Sequence, residues 1–437
     1  MNTFSFIILC FSILVAVLAN PQGSKEGKAT RPPTRRPEHR CPRARNQDYD
    51  CQFVNVVHRG DHPIYFVHNP GKKIAFSKSQ ISYLPKSFFD AFPEMETASL
   101  ENMKMHYIEN KAFENAGKLQ NLNVRKNYLR EFKKNTFEGA QSIKKLNAND
   151  NEIASIDPDA LNILPNLRQL NIAENKLEQL PKLSNNKELL RVGAFTNQIN
   201  RIENDQFINN QKIQEIILKD NQITHFDLRQ LNNKRDLAKV DVSYNRLTIL
   251  FIPNNIKVLS AKNNSIASIT HQGQSNIEEL DLSNNALVEV PQLTANELRM
   301  LDLSNNRIIK LDFKVFSQMP KLTHLNVSSN YLFELKMNPK PISITELDLS
   351  NNKLNSAPSD CKSLANVRKL YLNNNDLVQF CGFDSLKKLK HISLSGNNWD
   401  CLKINLPSGV SLIDADNPQT CKTGASLNAQ NICCKRS

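Results

Sequence analysis

The chain has 437 residues, is 40% hydrophobic and carries a formal charge of +13 from 56 Lys/Arg against 43 Asp/Glu. That apolar content excludes a wholly disordered chain, and the length is far beyond what one small core needs. Twelve Gly and nine scattered His supply no Gly-rich phosphate loop, nucleophile elbow or zinc-spaced ligand set, so catalytic, cofactor and metal classes find no residues to carry them, and no nucleic-acid-binding module is read.

Residues 1–19 read as a secretory signal peptide. The run from Phe4 to Ala19 is apolar except at Ser5, Cys10 and Ser12, and Val17-x-Ala19 offers small residues for cleavage. No later stretch approaches the ~20 apolar residues of a membrane span, so a secreted, extracellular product is expected. Residues 20–40 form a basic, Pro-rich arm expected to be solvated and disordered. Positions 21–45 hold eight Lys/Arg against Glu26 and Glu38, which makes this segment the place to hold an anionic glycan or surface.

Residues 41–70 read as an N-terminal cap. Cys41 and Cys51 bracket its entry and are expected to bridge, while CQFVNVV and IYFVHN read as two strands joined by the turn HRGDHP. Arg59-Gly60-Asp61 at that tip spells the integrin-binding tripeptide, although a turn wants Gly there for its own sake. His58, Asp61 and His62 do not make up a zinc ligand set.

Residues 71–398 repeat one pattern about 15 times, most plainly in Leu280-Asp281-Leu282-x-x-Asn285-x-Leu287 and Leu301-Asp302-Leu303-x-x-Asn306-x-Ile308. Alternating apolar residues make a short strand with one buried face, and the Asn can bond the backbone of the turn that leaves it. One such coil cannot bury its own face, so the pattern predicts an α/β solenoid of stacked leucine-rich repeats. Ser79 and Met103 stand at the Asn position of the first two repeats, and Asn occupies it in thirteen more, from Asn127 to Asn397, at spacings of 19 to 24 residues. Phe89, Phe113, Phe137, Leu161, Phe207, Leu231 and Phe316 each lie ten residues beyond their Asn position and should stack inside the far wall. Short helical or 3₁₀ segments are expected on that wall. Strands stack at about 4.8 Å and helical turns need nearer 10 Å, so the array should bend into a horseshoe with a parallel sheet on its concave face.

Residues 399–437 contain no repeat and read as a Cys-rich C-terminal cap, with Trp399 as a lid on the last core layer. Loss of the signal peptide removes Cys10 and leaves eight cysteines, as expected for an oxidising compartment. Cys361 and Cys381 lie in consecutive repeats and could bridge adjacent coils. Cys401, Cys421, Cys433 and Cys434 could close two internal bridges, or one, leaving Cys433 or Cys434 for a partner chain. On the concave face, Phe195, Ile217, Lys219 and Tyr244 fall on neighbouring variable positions, where large apolar side chains have no core role. Asn263 and Asn326 begin glycosylation sequons.

The terminal runs NNWDC, DADNPQTC and ICCK, after an array that opens with a Cys-bracketed cap, resemble the leucine-rich-repeat immune proteins of mosquitoes, most closely the Plasmodium-responsive subgroup. The resemblance covers about residues 41 to 436. It implies a haemolymph protein that pairs with another leucine-rich-repeat chain through a disulfide and a C-terminal coiled coil, and that stabilises a thioester-containing, complement-like partner. By position, Cys401 and Cys421 would belong to the cap and Cys433-Cys434 would be the family's double cysteine. The sequence ends three residues after that doublet without heptads, so either a member lacking the coiled coil or a truncated gene product is expected. The reading is a secreted, non-enzymatic binding protein of insect humoral immunity. The alternative is a matrix or cell-adhesive protein using the basic arm and Arg59-Gly60-Asp61.

Overall fold

The structure is a computed structural model that describes residues 38–40, 49–59, 63–232, 234–356, 358, 360–414, 416, 421, 425–428 and 431–435. Each coil opens with a short strand whose middle residue is buried while its neighbours are not. Leu280, Leu301 and Leu325 are 1–2% exposed, whereas Glu279, Met300 and His324 on the same strands face solvent. Each of these strands pairs with its counterparts in the preceding and following coils, parallel and in register, as in Leu280↔Leu301↔Leu325. Among the described residues this gives an open sheet of seventeen strands, running from Cys51–Val54 to Ser411–Leu412. The fold is a leucine-rich-repeat solenoid with this sheet as its concave wall.

The cap hairpin expected over CQFVNVV and IYFVHN is not what forms. Cys51–Val54 instead pairs in parallel with Lys73–Ser77, so this segment is an additional first coil, with buried Cys51 and Phe53 on the core side. Val57–His58 likewise pairs in parallel with Gln80–Ile81. Alternating apolar residues suit either arrangement, and the next coil offers an apolar face that a hairpin would leave uncovered. Of the Arg59-Gly60-Asp61 tripeptide, Gly60 and Asp61 lie outside the described residues, as do the signal peptide, nearly all of the basic arm and Cys41. Cys51 is disulfide-bonded.

The Asn positions form a ladder. Asn306 Nδ2 donates to the carbonyls of Leu303 and Ser304 in its own coil and of Leu282 in the preceding one, while its Oδ1 accepts from Leu287 N–H at 3.0 Å. Asn330 and Asn352 repeat the arrangement one and two coils on. The residue just before each ladder position is left-handed, from Lys126 (φ 56°) through Asn305 (φ 54°) to Gly396 (φ 69°). That conformation costs an ordinary L-residue about 1–2 kcal/mol, and Asn tolerates it best, which explains the Asn-Asn pairs of the later coils.

On the far wall Phe89, Phe113 and Phe137 are buried and stack at 5.1 and 5.6 Å between ring centroids. Helix is sparse there: one α-turn at Phe88–Ala91 and 3₁₀ turns at Leu228–Leu231, Phe313–Gln318, Lys362–Leu364 and Phe383–Ser385 among the described residues. Residues 135–144 and 158–167 of that wall form turns without regular helix. At the C-terminal end Trp399 is fully buried against Phe383 and donates its indole N–H to Leu394 O at 2.7 Å.

Candidate functional site on the concave sheet

The concave face is built from the first and third residues of each strand, which flank a buried one, and from the residues that follow the next buried position. A hollow of about 960 Å3 spans the coils from Lys219 to Tyr371 and includes Asp241, Tyr244, Met300, Asp302 and Asp348. A second hollow of about 400 Å3 lies on the N-terminal side and is lined by Arg191, Gly193, Phe195, Glu215 and Ile217 among others. The four residues singled out from sequence therefore divide: Phe195 and Ile217 line the smaller hollow, Lys219 and Tyr244 the larger. They meet at the junction. Lys219 Nζ sits 5.5 Å from the Phe195 ring centroid, and Lys262 Nζ 5.7 Å from that of Tyr244. A cation over an exposed ring contributes about 0.5–1 kcal/mol, enough to hold each ring in place.

Tyr244 occupies the left-handed position (φ 55°) that later coils give to Asn, and it remains 51% exposed. The same conformation precedes the ladder residue of every coil, so here it carries an exposed ring to the bend after the strand. Gly193 stands in the strand column between Asn171 and Ile217, where an added Cβ would come no nearer than 3.5 Å to Asn171 Oδ1. No backbone constraint demands glycine there; its effect is to lower the floor of the smaller hollow.

Four aspartates along the concave face have a structural role. Asp241, Asp281, Asp302 and Asp348 share one column, and one oxygen of each accepts the backbone N–H two residues on, at 2.9–3.0 Å. Asn123, Asn147, Asn171 and Asn326 make the same turn in their coils. The column closes the bend after the strand, an Asx turn, and carries charge as a consequence. The carboxyl of Asp348 is raised above the usual range chiefly by burial, with Asp302 and Glu346 adding to the rise and the bonds from Ser350 opposing it.

His324 and His391 lie in one column three strands apart; His324 Nε2 faces Glu346 at 3.7 Å and His391 Nδ1 meets Ser411 Oγ at 2.6 Å. Among the described residues no group of three or more His, Cys, Asp or Glu is arranged to hold a metal ion. The sequons differ. Asn326 is inside the larger hollow with its amide engaged on both sides, donating to Asp302 at 3.3 Å and accepting from Ser328 N–H at 3.0 Å. Asn263 sits at a left-handed turn (φ 52°) on the rim and remains partly exposed.

The cysteines pair Cys361 with Cys381, Cys401 with Cys434 and Cys421 with Cys433, with Cα separations of 5.9, 5.1 and 5.3 Å. Both members of the doublet are thus bonded within the chain. The strand Cys433–Lys435 lies beside both Trp399–Asp400 and Ser426–Leu427, which brings the sulfurs of the cap together.

With the geometry in hand, comparison with known proteins fixes the class. Leucine rich repeat family models match residues 117–177 and 275–332, and a further one matches residues 343–364. These matches agree with the leucine-rich-repeat fold of the chain. Of solved structures, that of the LRIM1/APL1C complex matches at 28% identity with a TM-score of 0.75, covering 92% of this chain and 72% of the other. The APL1 leucine-rich repeat domain matches at 27% identity and a TM-score of 0.72, covering 92% of this chain and 100% of that one. These are mosquito leucine-rich-repeat immune proteins, and the chain is related to them. Lumican of Mus musculus is 32% identical over 111 residues, a match spanning 25% of this chain and only 32% of lumican.

Proposed function

We propose that the chain is a secreted, non-enzymatic binding protein of insect humoral immunity that holds a protein partner on its concave sheet. The observation that carries this reading is the junction of the two hollows, where partly exposed Phe195, Ile217 and Tyr244 stand beside lysines on a face whose core is already closed without them. Exposed aromatic and aliphatic groups within a concave polar rim are the make-up of a protein-binding hot spot. The likeness to the LRIM1/APL1C complex points to another leucine-rich-repeat immune chain as the partner class, and the family resemblance adds a thioester-containing, complement-like protein. Secretion is supported by the apolar run of residues 1–19 and the disulfides; no helix among the described residues is long and apolar enough to cross a membrane.

The lumican likeness favours one other reading, a matrix or cell-adhesive protein that uses residues 20–40 and Arg59-Gly60-Asp61. Surface plasmon resonance separates the two. The purified chain should bind an immobilised leucine-rich-repeat immune chain or complement-like protein, with affinity kept when residues 21–40 are deleted and salt is raised. Binding only to heparin, lost on that deletion and at high salt, would support the adhesive reading instead.

A further inference from the structure

On the flank of the N-terminal coils, outside the concave sheet, aromatic rings form a run. His58 meets Tyr83 edge-on at 5.5 Å, and Tyr83 stacks on Tyr107 at 5.0 Å with the rings 3° from parallel. Short flank strands pair Tyr83–Leu84 with Tyr107–Ile108, and Glu131–Phe132 with Ser155–Ile156, but among the described residues no pairing joins these two ladders. At the break lies a hollow of about 740 Å3, lined by Tyr107, Asn110, Arg130, Lys133, Lys134 and Asn135 among others. One face of Tyr107 is covered by Tyr83, yet the residue is 53% exposed, so its free face serves as an aromatic wall of the hollow.

The cations around that wall are already paired. Arg130 pairs with Glu152 at 3.5 Å, Lys133 with Glu131 at 3.1 Å and Lys134 with Asp159 at 3.1 Å, while Glu109 accepts the backbone N–H of Lys86 at 2.9 Å. A polyanion would have to displace these ion pairs, and a cation would meet three positive side chains. What remains is a flat apolar ring beside amides that both donate and accept, the combination of apolar wall and few polar groups that orients a small ligand. A pyranose matches it, because its C–H face is apolar and its hydroxyls project sideways as paired donors and acceptors.

We propose that this flank hollow binds a neutral oligosaccharide, with Tyr107 as the stacking platform and Asn110 and Asn135 bonding the hydroxyls. The site is independent of the concave face. The test is isothermal titration of the full chain with chitotetraose, laminaritetraose, maltotetraose and a sulfated heparin tetrasaccharide. At least one neutral tetrasaccharide should bind. Tyr107→Ala should weaken it by about tenfold or more, Tyr107→Phe should hold it within about threefold, and Tyr244→Ala on the concave face should leave it unchanged. Equal melting of the variants confirms that the fold survives. Binding of the sulfated sugar alone, binding of none of the neutral sugars, or neutral-sugar binding indifferent to Tyr107→Ala would each overturn the proposal, and a peptide competing equally well would reassign the hollow to protein contact.

Discussion

The first coils and the later ones close the same turn with different chemistry. From Asn127 onward one amide binds two coils at once. At Ser79 a hydroxyl takes its place, accepting from Val56 N–H at 3.0 Å and donating to Ser77 O at 3.0 Å. Met103 offers no polar side chain at all, and Asn127 Oδ1 reaches back to accept from both Met103 and Met105 N–H, at 2.9 and 3.0 Å. Aromatic bulk stands in for the missing ladder: Phe53, Phe66, Phe76, Phe88 and Phe92 interlock with ring centroids 4.9–6.1 Å apart. The coils of Ser79 and Met103 both have a neighbour on each side, but with no ladder Asn of their own they rely more on packing. The repeat tolerates either solution provided its buried backbone groups find partners.

That difference can be broken from both ends. Phe88→Ala, at the centre of the aromatic cluster and fully buried, should cost about 3–5 kcal/mol, with hydrogen exchange rising first in the N-terminal coils. Asn306→Ala should cost about 1–3 kcal/mol in denaturant unfolding, because it strips a donor from three carbonyls and an acceptor from Leu287 N–H. Ser79→Ala should cost only about 1 kcal/mol, since one donor, Val56 N–H, loses its acceptor. Equal losses at Asn306 and Ser79 would contradict the account of how the two ends are held.

The acidic column adds a pH test of smaller size. The carboxyl of Asp348 is raised in the fold by burial, so the folded chain holds its proton more tightly than the unfolded chain does. Stability from this group is fully present below the ordinary carboxylate value and is lost as pH rises through the raised one. Asp348→Asn should flatten that part of the melting-against-pH profile and leave the chain slightly more stable at neutral pH, since the amide can still accept from Ser350 N–H as Asn326 does from Ser328. A profile unchanged by the substitution would show that the buried charge costs nothing.

The ladder, the phenylalanine column and the repeat period were legible because each demands the same residue type at the same offset. The first coil was not: Cys51, Phe53 and Val54 read as a strand, but nothing local tells a hairpin from a parallel pairing with Lys73–Ser77. The Asp column also hid its role, since the bond from Asp281 to Ser283 N–H depends on a bend and not on composition. The hollows were invisible for a related reason. One deepens where Gly193 leaves a side chain out, and the other opens where Tyr107–Ile108 and Glu131–Phe132 fail to pair. The first is a missing side chain on a continuous sheet, and the second a break between flank ladders. The sequence marked Phe195, Ile217, Lys219 and Tyr244, yet only the fold divides them between two hollows that meet.

The most direct test of partner binding on the concave sheet sets variants of the two walls against each other. Binding of a leucine-rich-repeat or complement-like partner is measured for the native chain, for Ile217→Asp with Met300→Asp on the sheet, and for Ile208→Asp outside it. Ile208 is 54% exposed and lines neither concave hollow. The concave pair should lose about tenfold or more in affinity with its melting temperature kept, while Ile208→Asp binds as the native chain does. Undiminished binding by the concave pair, or equal loss on both walls, would contradict the assignment.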